Sequence, residues 1–173
     1  MIFIITTLAI VALGWVGWNL TLDALWQPSD HETISLILET LEVSSGDLVY
    51  DLGCGDGRWL TRIVKDRGAR AIGVEIDPVR AIISRLRLIL SGSSSRAKVI
   101  WGNMYKVDLT GADAVILFLS EEANKKLSSK FNRELTQGAR VASFYHKLPG
   151  WDPVNTKVNN DGYKIYLYRK RGQ

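Results

Sequence analysis

This 173-residue chain has little of what covalent or metal chemistry needs. Cys54 is its single cysteine, so no internal disulfide can form, and His31 and His146 stand too far apart to suggest a metal site. Cations are missing from the first third: up to Asp56 there are eight acids and no Lys or Arg. The other ten acids face all 22 cations beyond that point, so the overall +4 hides a C-terminal part at +12. Such a part suits acidic lipid headgroups, nucleic acid or an acidic partner, and equally suits plain solvated helix faces. Internal repeats and long Gly/Ser/Pro linkers are also absent, which leaves a single domain's worth of chain, and 46% hydrophobic residues with six Trp supply its core.

Residues 1–22 carry no ionisable side chain, and Ile2 to Val16 form a near-continuous apolar run. About 20 such residues cross a bilayer core, so residues 1–26 are expected to be a single transmembrane anchor helix, with residues 27–173 as the catalytic domain. Trp15, Trp18 and Trp26 gather at its end as an interfacial aromatic belt. A basic n-region and a small-x-small site are lacking, which argues against a cleaved signal; the other reading is an N-terminal core helix.

What the chain does have is a stretch around which the rest is organised. A short apolar run with Leu48, Val49 and Tyr50 reads as a buried parallel strand, Gly53, Gly55 and Gly57 follow at alternate positions after Asp51, and Trp59 to Val64 resume at helical spacing. Strand, tight glycine turn and helix together let backbone approach a ligand and direct helix N-terminal N–H groups at it. The dinucleotide fingerprint wants a glycine where Arg58 stands, and Asp51 would repel a pyrophosphate but hold the ammonium of an amino acid. S-adenosylmethionine fits. The next strand, Ala71 to Asp77, places Glu75 where a carboxylate can accept both ribose hydroxyls.

Asp51-x-Gly53-x-Gly55-x-Gly57 with an acidic second strand resembles the class I, seven-stranded SAM-dependent methyltransferases. Pro28-Ser29, Leu117-Phe118-Leu119-Ser120 and Gly150-Trp151-Asp152-Pro153 narrow the likeness. They resemble a small family of archaeal protein-lysine methyltransferases and their membrane-anchored relatives, some of which modify lysines of the mitochondrial ATP synthase c-subunit and adenine nucleotide translocase. The resemblance implies an α/β, Rossmann-like fold with a mostly parallel sheet of order 3-2-1-4-5-7-6 closed by an antiparallel hairpin. It also implies a SAM site formed by Pro28, Ser29, Asp51, Gly53, Cys54, Gly55, Gly57, Glu75, Ile76, Asn103, Met104 and Leu119. In this family pattern Asn103 stands where an acid commonly meets the adenine amino group, and Trp101 or Met104 is available to pack on adenine.

Further elements follow from pattern. Ser29 and Glu32 read as a capping box before a helix carrying Ile34, Ile37, Leu38 and Leu41. Pro78 opens a helix with apolar residues at 79, 82, 83, 86, 89 and 90, its arginines 80, 85 and 87 on the exposed side. Strands are expected at 97–101, 113–120 and 139–145, a helix after Ser120, and a hairpin through Asn160-Asp161-Gly162 with alternating Tyr163, Ile165 and Leu167.

Methyl transfer from a sulfonium needs alignment and a neutral acceptor rather than a protein nucleophile. A lysine amine, with pKa near 10.4, is neutralised by an apolar aromatic lining. Phe118, Tyr145 and Trp151 are the candidates for that lining, Ser120 for orienting the amine, and Tyr145 or His146 for receiving a proton through water. Glu121 and Glu122 either attract a cationic substrate or serve as first-turn acids of a helix. The Asn/Asp-Pro-Pro-Tyr signature of base-amino methyltransferases is absent, Leu119-Ser120 standing in its place, which argues against nucleic acid. The expected activity is methylation of a protein lysine at a membrane. A lipophilic acceptor such as a quinone or lipid headgroup, and a non-catalytic SAM-binding membrane protein, stand beside it. No Lys or Arg flanks the anchor, so orientation rests on SAM supply, which places the domain on the cytoplasmic face.

Overall fold

The computed structural model describes residues 2–19 and 30–172. Their elements run α1 (Ile2–Asn19), α2 (His31–Thr40), β1 (Leu48–Leu52), α3 (Arg58–Arg67), β2 (Arg70–Glu75), α4 (Pro78–Leu90), β3 (Ala97–Trp101), β4 (Ala114–Leu117), α5 (Glu121–Glu134), β5 (Arg140–Phe144), β6 (Asn155–Val158) and β7 (Lys164–Arg169). The seven strands form one sheet of order β3-β2-β1-β4-β5-β7-β6. The first five pair in parallel and β7 runs antiparallel to both neighbours, the topology the resemblance implies.

Alternation along the strands divides the core in two. Val49, Ala71 and Ile116 point to one face, where Ile34, Ile37 and Leu38 of α2 and Leu60 and Ile63 of α3 cover them. Tyr50, Leu52, Val74, Val115 and Leu117 point to the other, beneath Ala123, Leu127 and Phe131 of α5. All the parallel strands end at one edge, where β1 and β4 send their chains to opposite faces. A crevice opens there, as expected outside the carboxyl ends of a doubly wound sheet.

Three expectations change. The cap of α2 is Asp30, whose carboxylate accepts from Thr33 N at 2.8 Å; Ser29 lies outside the described residues, as does Pro28. The N-terminal helix ends at Asn19, and among the described residues no helix is long and apolar enough to cross a membrane. Its 18 residues measure about 27 Å at 1.5 Å per residue, short of a ~30 Å hydrocarbon core, and the rest of the expected 1–26 span lies outside the described residues. Finally, α4 turns Ala81, Ser84 and Leu88 inward, leaving its large apolar side chains exposed.

Candidate active site

The glycine turn sits at the carboxyl end of β1. Gly53, Gly55 and Gly57 all have positive φ, the last at 77° as the N-cap of α3. A Cβ on Gly57 would collide with the hydroxyl of Ser84 on α4, so glycine is what lets the two helices approach. The N–H groups of Gly53, Cys54, Gly55 and Gly57, expected to face a ligand, are engaged within the protein. Gly53 N and Cys54 N donate to Val74 O at 2.8 and 3.1 Å, and Gly55 N donates to a Glu75 carboxylate oxygen at 2.9 Å. The turn therefore offers a close-approach surface bounded by carboxylates rather than a nest of free donors.

Those carboxylates differ in kind. Glu75 is buried, and its second oxygen accepts from Asp77 N at 2.9 Å, so both oxygens are fixed by backbone at the end of β2. Asp51 is only 4% exposed, and its Oδ2 has no hydrogen-bond partner. Burial pushes its carboxyl up to about 8, with the negative charges of Glu75 and Asp56 adding to the effect. A buried carboxylate facing two like charges is poorly solvated until a cation arrives, and the α-ammonium of SAM is such a cation. Asp56 behaves oppositely: burial works against its charge, but hydrogen bonds and charge from Arg58, and charge from Arg87, outweigh it and hold its carboxyl below the ordinary value.

Cys54 contributes through position alone. Its thiol is buried against Ser84 Oγ at 3.9 Å and is pushed well up by burial and by Asp51 and Glu75, which makes it inert. Ile76 is partly exposed beside Glu75, and its carbonyl accepts from Trp101 Nε1 at 3.0 Å. Asn103 uses its Oδ1 to accept from Tyr105 N at 2.8 Å, so one of its lone pairs is already committed. Met104 packs on the core that contains Leu119, and Leu119 Cδ2 lies 3.1 Å from where a Gly53 Cβ would stand.

At the ends of β4 and β5 the expected acceptor residues fall into two groups. Phe118 meets Phe144 edge to face at 4.6 Å, Phe144 meets Tyr163 at 5.9 Å, and Tyr163 lies 5.3 Å from Tyr145, whose ring touches His146. This makes a continuous aromatic wall. Trp151 is not part of it: it packs edge-on against Phe131 and Tyr168 on the opposite face of the sheet. Ser120 is the N-cap of α5, accepting from Ala123 N, with Glu121 and Glu122 in the first turn behind it.

Two residues of the wall's support were not singled out in the sequence. Tyr163 follows the hairpin turn and looked like an ordinary alternating strand residue. Asn124, fully buried on α5, donates to Ser143 Oγ (2.9 Å) and to the carbonyls of His146 and Lys147 (both 3.2 Å). It pins the chain after β5, where Tyr145 adopts φ 72° in a tight turn closed by His146 N donating to Phe144 O at 2.9 Å. Positive φ in a tyrosine is strained and persists only where the surroundings enforce it. Nothing in the local sequence marks a helical Asn as that brace.

Residues 51–155 match the ANTKMT methyltransferase domain, more than half of the chain. The chain belongs to this family. It is 35% identical over 145 residues to a protein-lysine N-methyltransferase of Saccharolobus islandicus, covering 82% of this chain and 90% of that one. It is 31% identical to the human lysine N-methyltransferase of the ATP synthase c-subunit and 34% identical to the mouse adenine nucleotide translocase lysine N-methyltransferase, over 73% and 79% of this chain. Only 53% and 58% of those two proteins' lengths is spanned. A crystal structure of an RNA methyltransferase from Salinibacter ruber with S-adenosyl-L-homocysteine superposes with a TM-score of 0.82 at 29% identity, over 85% of this chain and 95% of that one. The protein is a SAM-dependent methyltransferase, and the orphaned Asp51 oxygen beside the glycine turn fits that cofactor.

Proposed function

We infer that this methyltransferase moves the methyl group of SAM to the side-chain amine of a protein lysine. The observation that carries the reading is the aromatic wall of Phe118, Phe144, Tyr145 and Tyr163 at the ends of β4 and β5. Bound SAM supplies an electrophilic methyl on a sulfonium, ready for in-line displacement. Asp51 would hold its ammonium, Glu75 its ribose, and Ile76, Asn103, Met104 and Leu119 would line its base and methyl ends; Pro28 and Ser29 belong to the same proposal. The wall's work is on the acceptor: it strips water from the ammonium, favours the neutral amine and holds it in line. Tyr145 and His146, ring to ring at 4.7 Å, are placed to pass the released proton to solvent. Ser120, engaged as a cap, would fix the start of α5 beside Leu119 rather than touch the amine.

The substrate's charge has a route in. Asp30, Glu32 and Asp161 rim a groove between the start of α2 and the hairpin turn, tied together where Asn159 Nδ2 donates to Thr33 Oγ1 at 3.0 Å. Asn159 Oδ1 in turn accepts from Tyr163 N at 2.8 Å, so the groove borders the wall. Acids suit a lysine-bearing segment. The lysine substrates for which the relatives are named point the same way.

Membrane association belongs to this reading. The described exposed side chains of α1 include Phe3, Ile4, Ile5 and Leu13, and residues 1–22 hold no charge. The helix is read as the element that keeps the enzyme at a membrane, with the domain on the cytoplasmic side, where SAM is available. Extraction at alkaline pH and a C-terminal reporter fusion test it; a soluble chain or an extracytoplasmic reporter would refute it. A second reading, methylation of RNA, is favoured by the activity for which the Salinibacter ruber protein is named and by the basic C-terminal part. Transfer of radiolabelled methyl from SAM to separated protein, RNA and lipid fractions of the source cells decides between them. Label on protein, located to lysine by mass spectrometry, is the expected result; label confined to RNA or lipid would overturn the lysine assignment.

A further inference from the structure

Helix α4 presents its apolar side to solvent. Val79, Ile82, Ile83, Leu86, Ile89 and Leu90 recur at i, i+3, i+4 and i+7 spacing on one stripe, and all six are exposed, Ile89 at 63% and Leu90 at 87%. The residues turned to the sheet are small or few, Ala81, Ser84 and Leu88, because α4 must come close to α3 where Ser84 meets Gly57. A contiguous surface of this kind on a folded domain marks a contact site.

Charge identifies what it contacts. Residues 78–107 hold six cations (Arg80, Arg85, Arg87, Arg96, Lys98 and Lys106) and no Asp or Glu. Arg80 and Arg87 pair with Asp77 and Asp56, whereas among the described residues Arg85 and Arg96 meet backbone carbonyls, those of Val99 and Gly68. A second copy of this chain laid on the same stripe would set these cations against one another. Anionic headgroups would complement them while the Ile and Leu side chains enter the acyl boundary. A second element points the same way: Trp15 of α1 donates from Nε1 to Asp77 Oδ2 at 2.8 Å, so the uncharged helix meets the domain at the N-terminus of α4. We propose that α4 is a bilayer-docking helix whose exposed Ile82/Leu86/Ile89 stripe lies in an anionic membrane surface. Because α4 begins two residues after Ile76, docking would hold the carboxyl edge of the sheet, and with it the cofactor crevice, next to the headgroups. Docking through α4 is distinct from retention through α1, and a probe on α4 reports on it separately.

The test uses the full chain carrying an environment-sensitive fluorophore at Ile89→Cys, or at Ser129→Cys on the opposite face as a control; Cys54 is buried and escapes labelling. Vesicles of phosphatidylcholine with phosphatidylglycerol should shift emission to the blue at position 89 and leave position 129 unmoved, with a weaker response to phosphatidylcholine alone. The double variant Ile82→Glu, Leu86→Glu alters only exposed side chains, so it should keep its far-ultraviolet spectrum while losing most of the blue shift at position 89, even on vesicles that retain the chain through α1. Three results would overturn the proposal. They are equal shifts at both positions, an unmoved probe at 89 on vesicles that nonetheless retain the chain through α1, and a shift that follows protein concentration without vesicles.

Discussion

Cofactor binding should release a proton, and Asp51 is where it comes from. In the free protein its carboxyl is raised to about 8, so at pH 7 roughly nine molecules in ten hold it neutral. Binding a cationic ammonium demands the carboxylate. The ionised fraction is about 1% at pH 6 and about 9% at pH 7, so affinity should rise close to tenfold across that interval, about 1.4 kcal/mol, while the ligand's own ammonium stays largely protonated. S-adenosylhomocysteine carries the same amino-acid end and is the cleaner probe. Titration calorimetry in buffers of differing ionisation enthalpy should report nearly one proton released per ligand at pH 7. Asp51→Asn should abolish both the release and the pH dependence, and bind weakly at every pH. A wild-type affinity flat from pH 6 to 7 with no proton release would refute the assignment of Asp51 to the ammonium.

The same group ties stability to pH with a definite sign. The unfolded chain gives up this proton near 3.8, the folded one near 8, so between those values the folded state binds more protons and stability falls as pH rises, by up to about 1.4 kcal/mol per unit. Without ligand, the thermal midpoint should therefore decline from pH 5 to 8, more steeply than that of Asp51→Asn, and saturating S-adenosylhomocysteine should flatten the decline. A ligand-free protein that gains stability over this range would contradict the burial argument.

Other substitutions separate site from scaffold. Gly57→Ala forces an L-residue to φ 77° and drives a methyl into Ser84, which should cost about 2–4 kcal/mol in thermal or urea unfolding, part of it recovered in the Gly57→Ala, Ser84→Gly double variant. Tyr163→Ala removes a partly exposed ring and should lower kcat about tenfold while leaving the Kd for S-adenosylhomocysteine unchanged, because it acts on the acceptor amine; parallel losses in both would place Tyr163 in the cofactor site instead. Asn124→Ala strips three hydrogen bonds from the turn after β5 and should destabilise by about 2–4 kcal/mol, with faster amide exchange at His146 and Leu148.

Residues differ in how plainly the sequence declares them. The strand order came with the family resemblance, and that resemblance rests on local signals: alternate glycines after an apolar run that holds Asp51, and an acid, Glu75, closing the next strand. Tyr163 and Asn124 had none. Their roles come from β7 returning beside β5 and from α5 lying over the chain after β5, contacts between residues 18 or more positions apart. Trp151 was misplaced for a related reason, since a tryptophan near the end of a strand does not declare which face of the sheet it will join.

The inversion of α4 marks a limit of another kind. Helical periodicity states that one side of a helix is apolar; it does not state what lies against that side. The usual inference, that the apolar side faces the sheet, assumes that the protein supplies all the apolar surface available. Here α3 approaches α4 closely at Gly57 and Ser84, Ala81, Ser84 and Leu88 are what α4 turns inward, and the six large apolar side chains stay exposed among the described residues. A sequence that kept them exposed through chance alone would not also clear every acid from residues 78–107 and tether an uncharged helix at the same corner. The stripe, the charge and the tether are three separate features, and the proposed bilayer surface at α4 accounts for all of them.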